Sequence, residues 1–138
     1  MATRPIHEGL FTKPDDPRGA ALLAGRCGAC GRHHFPAAET CPYCSAETGS
    51  VEAVGATGRI FLHTVVQTAP PGYTGPVPYG FGLVDLPEGL RVVTRLAAAD
   101  LDALESGLRV RLEIAPLCTD EEGNEILSWA YRPDDGAA

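Results

Sequence analysis

The sequence predicts a mainly β protein, a small metal ribbon followed by a five-stranded Greek-key barrel of the OB type. Three observations carry that prediction. Two C-x-x-C pairs fall within residues 27–44, and five later stretches alternate or are rich in β-branched residues, with turn chemistry between them. The 16 glycines and 12 prolines among 138 residues exceed ordinary usage and favour short strands over long helices.

Residues 1–18 carry Pro5, Pro14 and Pro17 and the paired acids Asp15 and Asp16, a composition that favours an extended N-terminal arm over a packed element, and such arms often become ordered only on a partner. The ribbon occupies 19–49. Residues 20–26 fit either a short helix, capped by Asp16 with Pro17 at its first position, or the first strand of the ribbon. Residues 33–36 supply the second strand of its hairpin, and 46–50 read as a short join.

The barrel is expected over 50–132. Its first strand, 59–67, is β-branched and aromatic and follows Gly58. The Pro- and Gly-rich stretch 68–78 is a loop. Strands 79–86 and 90–96 meet across Pro87, Glu88 and Gly89 as a hairpin. Residues 98–105 fit a turn or two of helix, started by Asp100 and stopped by Gly107. In the fourth strand, 108–114, Leu108, Val110, Leu112 and Ile114 face a core while Arg109, Arg111 and Glu113 face water. An acidic turn leads to the fifth strand, 126–131, and 133–138 form a flexible tail. Strand, strand, strand, short helix, strand, strand is the order of the OB barrel.

The residues with the clearest chemistry are Cys27, Cys30, Cys41 and Cys44, spaced C-x2-C, ten residues, C-x2-C. Each C-x-x-C turn presents two thiolates to one ion while its amides donate to the sulfurs. A redox dithiol, a pair of disulfides and unconnected thiols are the competing readings. Zinc suits four soft ligands in a tetrahedron, and iron is the less favoured metal. Four thiolates close the shell, whereas a catalytic zinc keeps an open position, so the site reads as structural. With the ion saturated, His33 and His34 read as hairpin residues.

A self-sufficient active site is not apparent. His63 lies mid-strand without an acidic neighbour in sequence, and Cys118, in a loop after Pro116, has Asp120, Glu121 and Glu122 nearby, which disfavour a reactive thiolate. Tyr73, Tyr79, Phe81, Trp129 and Tyr131 invite comparison with a base-stacking platform, but no basic residues interleave with them along the chain. Most read as core. Tyr73, at the centre of the Pro/Gly loop, reads as a contact for a partner or ligand. A formal charge of −7 argues against nucleic acid, and no apolar run approaches the ~20 residues of a membrane span. The N-terminus lacks the apolar segment of a secretory signal, so the expected location is cytoplasmic.

Several of these motifs together resemble the DUF35 family. They are Cys27-x-x-Cys30-Gly31, Phe35-Pro36, Cys41-Pro42-x-Cys44, the segment from Gly58 to Phe61 with Thr64 to Val66, the run from Pro78 to Leu86, and the Glu88-Gly89 turn. The resemblance covers about residues 18–133, and departs from the usual pattern at Ser45, where glycine is common. It implies a rubredoxin-like zinc ribbon joined to an OB-fold, acyl-CoA-associated domain. It also implies a non-catalytic subunit of a heteromeric complex, docked on a thiolase-like partner and shaping its acyl-CoA channel. In such pairs the larger chain carries the catalytic groups for thiolytic or retro-aldol cleavage of a CoA thioester. Subunit of an acyl-CoA hydratase or aldolase, stand-alone acyl-CoA binder and nucleic-acid module are the alternatives. Tyr73, Tyr79, Arg59, Arg91 and Arg95 are the candidates to face the partner or acyl-CoA, the arginines as donors to phosphate.

Overall fold

The computed structural model of the chain describes residues 3–13, 16–73, 75–97 and 101–134. Pro14 and Asp15 of the arm, the helix-starting Asp100 and residues 135–138 of the expected tail lie outside the described residues.

Two sheets account for the described strands. The smaller is three-stranded: β2 (Leu22–Cys27) lies between β3 (His33–His34) and β4 (Thr48–Val54), antiparallel to both. Residues 20–26 therefore resolve in favour of the strand. Asp16 caps no helix there; its carboxylate accepts from the backbone and guanidinium of Arg18 instead. β4 replaces the expected join, since pairing with β2 supplies hydrogen bonds to a stretch whose own pattern is weak.

The second sheet closes on itself. β5 (Thr57–Val66), β6 (Tyr79–Asp85) and β7 (Arg91–Leu96) form an antiparallel meander. β8 (Arg109–Thr119) pairs with β5 and with β9 (Glu125–Pro133), and β9 runs parallel to β7 at Leu96 and Tyr131. The ring β5-β6-β7-β9-β8 is the Greek-key barrel read from the strand order. Inward positions alternate as the pleat requires, and Ile60, Val84, Val92, Leu96, Val110, Leu112 and Tyr131 fill the interior.

Two expected lengths change. The fourth strand runs beyond Ile114 to Thr119, passing Pro116 at a bulge between Pro116 and Cys118, which gives a residue lacking an N–H a place in a strand. Cys118 thus sits in the strand, half-buried, rather than in a loop. The expected helix is, among the described residues, a single 3-10 turn at Leu101–Ala103, followed by Gly107 at φ +89°.

The N-terminal arm is packed, and among its described residues only Thr3–Pro5 form a strand. β1 (Thr3–Pro5) adds to β9 in parallel, and Phe11 and Thr12 are buried against β2. Thr12 ties this stretch: its amide donates to the Ala21 carbonyl at 2.9 Å, and its hydroxyl donates to the Gly19 carbonyl at 2.8 Å. Phe11 lies 6.1 Å from Trp129 and Phe35 lies 5.9 Å from it, ring centre to ring centre, so one indole joins arm, ribbon and barrel. The composition favours an arm over a packed element, but residues 6–10 bend and turn and Phe11 buries apolar surface that docks the segment.

Candidate metal centre and the outer face of the barrel

Two matched turns build the cysteine cluster. After Cys27 the chain reverses so that the Gly31 amide donates to the Cys27 carbonyl at 2.9 Å; after Cys41 the Ser45 amide donates to the Cys41 carbonyl at 2.9 Å. The closing residue of each turn is left-handed, Gly31 at φ +76° and Ser45 at +68°. Glycine takes that conformation freely, and Ser45 is the one non-glycine with positive φ among the described residues.

The turns bring the four sulfurs within 4.8 Å of one another, Cys27 to Cys44 at 3.4 Å and Cys30 to Cys41 at 3.7 Å. A tetrahedral ion with metal–sulfur bonds of about 2.3 Å sets its thiolates roughly 3.8 Å apart. The donor set fits such an ion. Amides of Ala29 and Cys30 point at the Cys27 sulfur at 3.3 and 3.4 Å, and the Tyr43 amide points at Cys41 at 3.4 Å. The Cys30 and Ala29 amides draw the Cys27 thiol down to about 6. At Cys44 the Ala46 amide pulls downward, but the neighbouring Cys27 sulfur and burial outweigh it and push the thiol up to about 11. Amide donors aimed at the sulfurs favour the thiolate form that a metal ion requires.

The two ribbon histidines are hairpin residues. His33 Nε2 meets the Glu52 carboxylate at 2.8 Å, and His34 Nε2 accepts from the Ala38 amide at 3.1 Å. His63 is exposed on β5.

The five residues expected to face a partner or acyl-CoA are scattered in sequence, yet they gather on the outer side of β5, β6 and β7. Cross-strand register sets Arg59, Asp85 and Arg91 in one row, Leu62, Leu83 and Val93 in the next, Thr64, Phe81 and Arg95 in a third, and Val66 beside Tyr79 at the end. Tyr73 folds back from the Pro/Gly loop, its ring centre 4.9 Å from that of Tyr79, and its hydroxyl donates to the Pro76 carbonyl at 2.7 Å. Burial holds its phenol above the ordinary value.

Basic residues do interleave with aromatic ones here, contrary to the reading along the chain. Arg95 sits opposite Phe81, and the Arg91 guanidinium lies 3.5 Å from the ring centre of Phe61. The interleaving runs across strands, and a β-bulge between Ile60 and Leu62 sets Phe61 out of alternation. Each arginine is also anchored. Arg91 donates to Asp85 at 2.5 and 3.3 Å, Arg59 to the Gly107 carbonyl at 3.2 Å and Arg95 to the Trp129 carbonyl at 3.5 Å.

A closed thiolate shell in a three-stranded ribbon, joined to a five-stranded barrel, defines a class of small two-module proteins. Residues 21–48 match the family described as "ChsH2, rubredoxin-like zinc ribbon domain", and residues 51–115 match "ChsH2, C-terminal OB-fold domain". The chain belongs to this DUF35 family. It is 29% identical over 127 residues to the benzoylsuccinyl-CoA thiolase subunit BbsA of Thauera aromatica, covering 92% of this chain and 86% of that one. It is 29% identical over 119 residues to a DUF35 domain-containing scaffold protein of Methanothermobacter thermautotrophicus, covering 84% of this chain and 87% of the other. Among solved structures, a chain of the "Ltp2-ChsH2(DUF35) aldolase" aligns with a TM-score of 0.65 at 29% identity, over 82% of this chain and 84% of that one.

Proposed function

We propose that this chain is a non-catalytic, zinc-containing accessory subunit that docks on a thiolase-like partner and helps shape the channel through which that partner handles an acyl-CoA. The observation that carries the reading is the pairing of a closed four-sulfur site with a barrel whose outer face gathers Tyr73, Tyr79, Arg59, Arg91 and Arg95. Relatives named as a thiolase subunit, a scaffold protein and a component of an aldolase support it.

In this reading zinc is held by Cys27, Cys30, Cys41 and Cys44, and supplies cross-linking of the two turns. The protein's own groups then do the positioning. The ribbon and Trp129 fix the barrel's orientation, and the loop closed by Tyr73 offers a preformed edge toward the acyl-CoA path. The proposed setting is the cytoplasm; among the described residues no helix is long and apolar enough to cross a membrane.

Co-expression with a candidate thiolase-like chain tests the assignment. One stable complex is expected, with one zinc per accessory chain by elemental analysis, and Cys44→Ser is expected to lose the metal and weaken the complex together. Two separately eluting proteins, with the larger fully active alone, would overturn the reading. So would intact assembly after the metal is lost.

A further inference from the structure

We propose that the outer face of β5, β6 and β7 is the surface that docks on the larger subunit, against a partner face apolar at its centre and carboxylate-bearing at its rim; this rests on the accessory-subunit reading.

The centre of the face is apolar and exposed. Leu62 is 54% exposed, Val93 56% and Phe61 40%, with half-buried Leu83 between the first two on the same row. Isolated exposed apolar residues are ordinary, but a contiguous row with charged residues around it marks a surface that another molecule covers. The rim is cationic. Arg59, Arg91 and Arg95 stand against one carboxylate in these rows, Asp85, although the chain as a whole carries −7. Each guanidinium has five N–H donors and spends one or two of them internally, which fixes its direction and leaves the others for carboxylates across an interface.

Barrels of this type take ligands on the face of their second and third strands and on the loop after the first, where this patch lies. A single-stranded nucleic acid would want a basic groove tracking its backbone, whereas the middle row here is wholly aliphatic. The surface also continues toward the ribbon. Val93 and Arg91 line a cleft of about 610 Å³ shared with His34, Phe35, Tyr43 and Trp129, and Tyr43 is itself 53% exposed. A partner covering the barrel face would thus reach the second knuckle, coupling metal retention to docking. The Tyr73 loop is braced from within, which lowers the ordering cost on association.

Binding of the purified thiolase-like chain to full-length variants, by biolayer interferometry, is the test. Leu62→Glu with Val93→Glu is expected to raise Kd at least about 100-fold, and the milder Val93→Thr about 5-fold, as for residues at the centre of an interface. Arg59→Glu is expected to lower the association rate and its salt dependence. Melting temperature and zinc content should stay at the wild-type values; if the double glutamate variant loses either, Val93→Thr decides. Wild-type Kd in both Val93→Thr and the double variant would overturn the docking face while leaving the accessory role standing. Absence of any wild-type complex would overturn both. A 20-nucleotide single strand binding as tightly as the protein partner, and losing affinity in the same variants, would assign the face to nucleic acid instead.

Discussion

The ribbon and the barrel lie side by side on one chain, but the forces that hold them differ in kind. The barrel buries a contiguous aliphatic interior, with Leu96, Val84, Val110 and Tyr131 at 1% exposure or less, so its stability is spread over many contacts. At its knuckles the ribbon buries mainly Cys27, Cys41 and His34, with four sulfurs within 4.8 Å of one another, while Leu22, Ala24 and Val54 of β2 and β4 join the barrel's own cluster. Modules this small cannot bury enough apolar surface to fold alone, and a structural metal supplies what the core does not. The knuckle end of the ribbon is therefore expected to fail as a unit when one ligand is lost, and the barrel to weaken by degrees.

Cys27→Ser should separate the two modules most sharply. Structural zinc contributes roughly 10–16 kcal/mol to ribbons of this size, so loss of one ligand should remove most of the order at the knuckles. Metal content is expected to fall from one per chain toward none, and amide signals of the two knuckles and β3 to collapse while those of β5 to β9 persist. If the barrel signals collapse as well, the two modules are one cooperative unit joined through Phe35 and Trp129.

Leu96→Ala tests the other side. Truncating a side chain 1% exposed costs about 2–5 kcal/mol in transfer and cavity terms. Urea unfolding of the barrel should shift by that amount with zinc still bound. Metal loss in this variant would show that the ribbon depends on the barrel beneath it.

How far each module was legible follows from the same contrast. A metal site demands fixed ligand types at fixed spacing, so Cys27, Cys30, Cys41 and Cys44 could be read directly from the sequence. The barrel strands were legible because each inward residue must alternate. What escaped depended on distant pairing. β4 becomes a strand by lying along β2, and β1 by adding to β9 at the far end of the chain. Pro116 argued for a strand end, and only the bulge beside it shows why the strand continues. The outer face was the least legible feature, because Arg95 meets Phe81, and Val93 meets Leu83, only through cross-strand register.

Substitution at the joint between the modules should give a smaller effect. Gly55 separates β4 from β5 at φ +72°, and a Cβ there would stand 2.6 Å from the Tyr131 hydroxyl. That hydroxyl donates to the Gly55 carbonyl at 2.6 Å, and the Gly55 amide donates to Glu88 at 3.2 Å. Burial holds the Tyr131 phenol far above its ordinary value, so the bond persists through alkaline conditions that ionise exposed tyrosines. Tyr131→Phe leaves a buried acceptor without its donor, at a cost of about 1–3 kcal/mol in barrel unfolding. Chemical shifts in β4 are expected to move with it, and stationary shifts there would mean the hydroxyl serves the barrel alone.

The smallest expected change is a gain. Gly31 and Ser45 close equivalent turns with nearly the same left-handed φ, +76° and +68°, yet only one of them is glycine. A serine Cβ in that region is strained, while glycine gives up more chain entropy on folding, so the two effects partly cancel. Relief of strain is the larger where φ is positive, and Ser45→Gly should stabilise the second turn by about 0.5–1 kcal/mol. Because the barrel takes no part in this turn, the gain should appear as slower zinc release to a chelator, with barrel unfolding unchanged. Gly31→Ser supplies the converse, faster release by a similar factor. If both variants release zinc at the wild-type rate, the thiolates rather than the turn backbone set the ribbon's stability.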